Sequence, residues 1–482
     1  MNRSQRHLSR LANRRGPIHD LERIFDAVTE EAALNPAERE AFCRWALSSL
    51  LDNFKTHLMD RRIEIEKQIK AMGINVPNGT VNKDYHASFL LPEGLVSDVR
   101  VDGVEDLGLS LTTDGYDEYY LSGRPVKAGD FTLTLSFQTL AGAPRSSLKI
   151  PVAFNPDPRS LWRNIPTDPN IPYFKEDSAT DYIRVEAGKD EAPRKDMVAA
   201  SQRGRSHARE GKPRDDHFAL DHCYESGWYI MAVADGAGSA KYSRKGSEVA
   251  CNAAVAHCKS MLTDNPEFEK AIADYAADKE DAGKRTELTR MVIDIIYKGA
   301  VKAHEAVKKV AAANEEAKLR DFATTLMFAI AKKYDFGWFI ASFWVGDGAI
   351  CLFDMNSHTV KLLGTPDEGE FSGQTRFLTM PEIFHDKDVV SKRLKMTIVP
   401  DFTALFLMTD GVSDPMFETE KNLNDYDKWL HLWNKLNTGF PGDNIPGVDL
   451  SDDNEQSKNQ LLRWLDFWSA GNHDDRTIAI LY

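Results

Sequence analysis

Aspartates stand at the ends of four apolar runs in this chain. "YIMAVA" stops at Asp235-Gly236, "WFIASFWV" reaches Gly346-Asp347-Gly348, and "TALFLMT" stops at Asp410-Gly411 with Asp414 shortly after. "GNHDDRTIAILY" sets Asp474 and Asp475 immediately before a final apolar run. A single Asp-Gly is an ordinary turn, since both are default turn residues. A carboxylate at the end of a buried strand must be solvated, hydrogen-bonded or bound to a cation, because an unpaired buried charge is very costly. Several carboxylates on one rim repel each other unless cations neutralise them. Oxygen ligands of this kind, with no histidine or cysteine at ligand spacing, favour Mg²⁺ or Mn²⁺ over Zn²⁺. The glycine after Asp235 leaves a backbone carbonyl accessible as a further ligand. Two such ions about 4 Å apart share a bridging water, lower its pKa and clamp phosphate oxygens during in-line attack. The pattern therefore points to hydrolysis of a phosphoester.

The elements that must position these residues occupy 196–482. "RKGSEVACNAAVAHCKSML" and "ELTRMVIDIIYKGAVKAHEAVKKVAAANEE" carry apolar residues three and four apart, as helices do, whereas "DFATTLMFAIAKK", "GWFIASFWVG", "AICLFDM" and "TALFLMT" read as strands. The mixture predicts an α+β fold with helices covering sheet faces. Two helical stretches between Pro415 and Ala470, "YDKWLHLWNKL" and "SKNQLLRWLDFW", lie between two aspartate motifs and are expected to form a flap beside the site.

Three further segments precede this region. Residues 1–74 read as a helical module: Leu21, Ile24, Phe25 and Val28 recur at helical spacing, Pro36 opens a second helix after Asn35, and nothing there looks catalytic. Residues 75–154 alternate apolar and polar positions between Gly, Pro and Asp turns, which predicts a small β-sandwich. Residues 155–195, rich in proline and charge, read as a linker.

Composition narrows the function classes. A net charge of −14 argues against nucleic acid or an anionic membrane as partner, since both want a basic surface. The five cysteines are scattered without a C-x-x-C pair, which suits a reducing, cytoplasmic setting. No apolar stretch is long enough to span a bilayer. The opening "MNRSQRHLSRLANRRG" is basic and reads as a frayed tail.

Two resemblances add to this reading. Residues 75–154, through "LPEGL" and "LSGRPVKAGDFTLTLSF", resemble bacterial immunoglobulin-like domains, which implies a module that binds a protein partner. The ordered set "SQRGRSHAREGKPRDDHF", "VADGAGSA", "DFATTLMFAI", "FWVGDGAICLF", "LMTDGVSDP" and "HDDRTIAIL" resembles the metal-dependent serine/threonine protein phosphatases of type 2C, especially the bacterial branch. That resemblance implies a four-layer α-β-β-α sandwich with two Mn²⁺ or Mg²⁺ ions at one end and a third, weaker site. It implies that Asp235 bridges the two metals, Gly236 offers its carbonyl, Asp410 and Asp474 ligate one metal, Asp216 acts through water, and Asp347 helps hold the third ion. Thr324 or Thr325 falls at the family's small-residue strand start, with a packing role.

The implied substrate is a phosphoserine or phosphothreonine protein, with a serine/threonine kinase as the opposing partner in signalling, stress or defence. Two departures stand out. Ala237 occupies the place where many members carry a histidine near the leaving group, leaving His207 as a candidate general acid. Arg205 and Arg209 compete for the role of the phosphate-binding arginine. The rival expectation is a weak or inactive phosphatase fold serving as a scaffold or sensor.

Overall fold

The structure is a computed structural model and describes residues 27, 30, 32, 33, 35–115, 117–139, 144–186, 194–364, 366, 375–385 and 392–482. The basic opening and the positions Leu21, Ile24, Phe25 and Val28 lie outside the described residues. The chain divides into two compact units, Met1–Leu161 and Trp162–Tyr482.

In the first unit, helix Pro36–Ala71 begins as its sequence dictates. The Asn35 side chain accepts from the backbone N–H groups of Ala37 and Glu38, each at 3.0 Å, and Glu38 reaches back to the Asn35 N–H at 2.9 Å. This capping box satisfies otherwise orphaned donors, and Pro36, which lacks an N–H, fits the first turn. Near the far end, Ile65 and Ile69 are buried with the strands, whereas Trp45, Phe54 and Met59 stay exposed.

Seven strands follow: β1 (Gly79–Thr80), β2 (Tyr85–Leu90), β3 (Ser97–Asp102), β4 (Leu109–Thr113), β5 (Glu118–Gly123), β6 (Gly129–Gln138) and β7 (Ser146–Asn155). They form a sheet of order β1-β7-β6-β3 and a second of order β2-β5-β4. Alternation sets the inward face: Tyr85, Ala87 and Phe89 of β2 are buried and the residues between them exposed. Leu121, Leu133, Leu135, Ile150 and Phe154 complete the shared interior.

The second unit carries β8 (Ser178–Ile183), β9 (Met197–Gln202), β10 (His217–Cys223), β11 (Trp228–Ala234), β12 (Leu326–Tyr334), β13 (Gly337–Val345), β14 (Ala349–Asp354), β15 (Thr359–Leu362), β16 (Leu394–Val399), β17 (Ala404–Met408) and β18 (Arg476–Leu481). One sheet has the order β10-β11-β12-β13-β16 and the other β15-β14-β17-β18-β9-β8. Strands β11, β12 and β13 are buried on both faces, so their sequences read as unbroken apolar runs. Their pleat still sorts them. Ile230, Ala232, Phe328 and Phe343 pack with helices Ser243–Leu262, Pro266–Ala277, Ala282–Val292 and Lys298–Ala312. Tyr229, Met231, Met327 and Ile340 pack in one cluster with the six-stranded sheet.

Two expectations are corrected here. The stretch 155–195 is not simply a linker: β8 is the edge strand beside β9, and residues 162–177 lie in the second unit. The prolines before β8 interrupt regular structure yet leave carbonyls free, and these, with the Asn164 side chain, serve buried guanidinium groups. Arg244 donates to the carbonyls of Tyr173 and Pro172 at 2.8 and 2.6 Å, and Arg203 donates to the Asn164 side chain at 2.6 Å. The segment between Pro415 and Ala470 is not a detachable flap either. Its helices Tyr426–Thr438 and Ser457–Trp464 sink Trp429, Leu432, Leu436, Leu461 and Trp464 into the same core as the six-stranded sheet. Their apolar stripes at helical spacing needed a surface to bury against, and the sheet supplies it.

One buried residue of this fold gives a pH signature. His222, near the end of β10, lies between the rings of Tyr229 and Tyr224, at centroid distances of 4.6 and 4.7 Å, and neither ring nitrogen has a hydrogen-bond partner. Burial, assisted by the charge of Arg194, lowers its pKa to about 4. The unfolded chain takes up that proton near pH 6.5 and the folded chain does not. Stability is therefore complete above the unfolded value and is lost as pH falls from about 6.5 towards 4. His222→Phe is expected to remove on the order of 1–2 kcal/mol of that acid loss, read from urea unfolding at pH 7 and pH 4.5. Identical acid losses in both proteins would contradict this.

Candidate metal centre

Strand β11 delivers Asp235, and two threonines at the head of β12 clamp it. The Asp235 N–H donates to Thr325 Oγ1 at 2.8 Å, while its carbonyl accepts from Thr324 Oγ1 and from the Thr325 N–H, both at 2.8 Å. Gly236 then forms an isolated bridge with Thr324. A Cβ on Gly236 would sit 2.7 Å from the Asp215 carbonyl oxygen, so a side chain does not fit. The Gly236 carbonyl accepts no hydrogen bond among the described residues and remains available as a ligand.

Strand β13 runs into Gly346, whose φ of 122° favours glycine, and so turns out Asp347. Strand β17 ends at Met408, Thr409 stands at the N-cap, and Asp410 opens helix Asp410–Phe417. These three strand ends converge: one carboxylate oxygen from each of Asp235, Asp347 and Asp410 lies within 4.8 Å of the others.

Asp216 lies behind them, fully buried at the start of β10. Its Oδ2 accepts from Thr409 Oγ1 at 2.9 Å and Thr477 Oγ1 at 2.7 Å, and its carbonyl accepts from Lys175 Nζ at 3.0 Å. Its Oδ1 has no partner. Asp474 precedes β18, and its charge acts on Asp235, Asp410 and Asp216.

The electrostatics follow from crowding. Burial, and then repulsion from Asp410, Asp216 and Asp474, holds the Asp235 carboxyl well above the ordinary range. Burial and the charges of Asp347 and Asp474 do the same to Asp410, and burial with Asp475 pushes Asp216 up to about 7. Asp475 goes the other way. Burial opposes its charge, but His207 Nδ1 at 3.0 Å and the N–H groups of Gly204 and Asp215 keep it ionised. His207 is buried too, which disfavours its charge, yet the bond to Asp475 and the charges around it raise its pKa to about 9.

The donor set suits a divalent cation. The Oδ1 atoms of Asp216, Asp347 and Asp410 are buried and unpartnered, the Gly236 carbonyl is free, and hard oxygens in this number prefer hard ions. Another acidic group differs: the Asp196 carboxylate accepts from Tyr182 Oη and from the N–H groups of Val185 and Asp453, so its charge is already satisfied.

Residues 203–444, half of the sequence, match the family model described as protein phosphatase 2C. The chain belongs to that family. Solved structures similar to this phosphatase 2C chain include the serine/threonine phosphatase Stp1 from Staphylococcus aureus, 13% identical, with 62% of this chain and 98% of that one covered and a TM-score of 0.32. The catalytic domain of the serine threonine protein phosphatase PstP in complex with two manganese ions is 15% identical, with 63% and 98% covered and a TM-score of 0.32. A bacterial serine phosphatase is 13% identical, with 59% and 96% covered and a TM-score of 0.33. No curated protein matches the chain.

Of the residues singled out in the sequence of this phosphatase 2C chain, the structure gathers Asp216, Asp235, Gly236, Asp347, Asp410 and Asp474 around one centre. It places the arginines elsewhere. Arg205 donates to the Asp466 carboxylate at 2.6 Å and lies over the Trp468 ring, and Arg209 lies over Trp162. Both ring nitrogens of His207 face carboxylates, Asp475 and Asp215, which is the geometry of a brace.

Four supports were passed over in the sequence. Thr409 and Thr477 orient Asp216, and each directly adjoins a strand-end aspartate motif, which is the signal that could have found them. Lys175 comes from the proline-rich stretch and carried no local signal. Arg214 is buried beside Asp216 and Asp475; burial lowers its pKa against the opposing pull of their charges, and its Nη1 has no hydrogen-bond partner.

Proposed function

We propose that the chain hydrolyses phosphoserine and phosphothreonine in protein substrates, opposing a serine/threonine kinase in signalling, stress or defence. The convergence of Asp235, Asp347 and Asp410 above a buried Asp216 carries this reading. Asp235 would serve both of two Mn²⁺ or Mg²⁺ ions, Gly236 would give its carbonyl to one, Asp410 and Asp474 would ligate the other, Asp216 would act through water, and Asp347 would serve a third, weaker site. When bound, such ions polarise a phosphoryl oxygen and lower the pKa of water. The chain's own part is to fix the oxygens: Thr324 and Thr325 set the Asp235 backbone, Thr409 and Thr477 aim Asp216, and His207 keeps Asp475 ionised.

We read the second unit as the four-layer α-β-β-α sandwich, supported by the sorting of β11–β13 between two cores. The β-rich part of the first unit is read as an immunoglobulin-like module that binds a protein partner, and the setting as cytoplasmic. No helix among the described residues is long and apolar enough to cross a membrane.

The test is hydrolysis of a phosphothreonine peptide by the full chain. Turnover is expected with Mn²⁺ or Mg²⁺, to be lost on chelation and restored by added metal. A metal-independent rate would overturn the reading. One observation favours a second reading, a scaffold or sensor: Arg205 is committed to Asp466, and Ala237 stands where a leaving-group histidine would be. Metal binding without turnover would select it.

A further inference from the structure

A second site lies far from the aspartates, where the edge strands of the two sheets of the second unit approach. A cavity of about 990 Å³ opens there between β16, β15 and the helical run Ala282–Tyr297. This is at the upper end of the volumes that hold small molecules, about 300–1,000 Å³. Its lining follows β16 from Ile398, paired with Phe339, to Leu394, paired with Phe343, whereas Asp347 follows the end of β13, roughly 13–26 Å from these positions at about 3.3 Å per residue, and no aspartate of the metal centre lines it. The cavity is therefore distinct from the metal centre.

Its lining has one sign of charge. Lys279, Arg285, Lys361 and Lys395 line it, and among the described residues no carboxylate does. None of these four forms an ion pair among the described residues, although the chain as a whole carries a net charge of −14. Lys361 Nζ donates to Thr397 Oγ1 at 2.6 Å, which ties β15 to β16 and holds that ammonium at the cavity wall. Burial, with the nearby Lys279 charge, lowers the Lys361 pKa, as expected where cations gather without an anion.

The remaining wall is aromatic. Tyr275, Tyr297 and Phe384 contribute rings, whereas Phe339 is fully buried against Trp228 and Phe268, and Tyr297 Oη is pinned to the Phe384 carbonyl at 3.1 Å. The helix changes to π form over Ile293–Tyr297, and both end residues of that turn line the cavity. Such π turns cost regular hydrogen bonding and occur often at functional sites.

We propose that this cavity binds a nucleoside phosphate, the base against the aromatic wall and the phosphates on the lysines and arginine. Aromatic faces take planar rings, and Arg with Lys take phosphate oxygens. The inference does not rest on the phosphatase reading.

The test uses the full chain in EDTA, so that no metal–nucleotide complex forms, with a fluorescent N-methylanthraniloyl ATP as probe. Saturable binding is expected, displaced by ATP far better than by tripolyphosphate. The double variant Lys279→Glu with Lys395→Glu changes two exposed side chains, and its fold is checked by circular dichroism. It is expected to weaken binding at least tenfold, while Asp410→Asn leaves binding unchanged. Absence of saturable binding overturns the proposal, as does binding indifferent to the double variant or abolished by Asp410→Asn. Displacement by tripolyphosphate or polyglutamate as effective as by ATP overturns it too, since the site would then read charge alone.

Discussion

Asp410→Asn is expected to stabilise the metal-free protein while removing its metal-dependent activity, two effects of opposite sign from one atom exchange. In the absence of metal, Asp410 is buried against Asp347 and Asp474, and its Oδ1 has no partner. The folded state pays for that crowding and the unfolded state does not. A carboxylate whose folded pKa lies above its unfolded value binds its proton more tightly when folded. Its contribution is greatest below about pH 3.9 and is lost as pH rises through the folded value. Wild type in EDTA is therefore expected to melt at higher temperature at pH 5 than at pH 8, with Asp216, at about 7, contributing in the same direction.

Asparagine in place of Asp410 should flatten that slope and raise the melting temperature at pH 8 by on the order of 2–4 °C for each kcal/mol of repulsion relieved. With Mn²⁺ or Mg²⁺ present, the same variant lacks the charge of a proposed ligand. A lost ligand worth several kcal/mol at the transition state corresponds to about 10³-fold in turnover. Scanning calorimetry with and without metal, alongside peptide hydrolysis, checks both signs. An asparagine variant that melts lower in EDTA, or that keeps wild-type turnover, contradicts the crowded-carboxylate account.

Gly411→Ala tests the same centre through the backbone. An alanine Cβ there would lie 1.9 Å from the Asp475 carbonyl oxygen, a distance no real contact tolerates, so the main chain at Asp474–Asp475 or at Asp410–Gly411 must shift. Both segments carry proposed ligands. A displacement of about 1 Å at such a site costs roughly 10²-fold in rate, so activity is expected to fall at least that far, with a lowered melting temperature from the overlap. Gly442→Ala is the control, since its Cβ would meet nothing within 4 Å and should change neither quantity. Equal behaviour of the two variants would show that the close approach of helix Asp410–Phe417 to the start of β18 does not matter.

Much of the centre could be read from the chain because its signals are local. Asp235, Asp347 and Asp410 announce themselves where apolar runs stop, since a strand's burial and its closing turn are both properties of neighbouring residues. The same locality misled the reading of 155–195. Prolines there suggested a linker, yet Ser178–Ile183 pairs with β9 and Lys175 reaches Asp216, because a partner distant in sequence was waiting for both. Arg205, which the resemblance set beside Arg209 as a candidate for phosphate, meets Asp466, 261 residues away, a partner that no local signal announces.

Residue types and spacing alone determined that carboxylates sit at strand ends, and in which order, because periodicity and Asp-Gly turns require only adjacent residues. Tertiary structure alone decided which oxygens share a centre and which stay unpartnered, that threonines brace Asp235 and Asp216, and that four cations without an ion pair among the described residues meet at one cavity. Those outcomes depend on sheet register and helix packing, which join side chains tens to hundreds of residues apart.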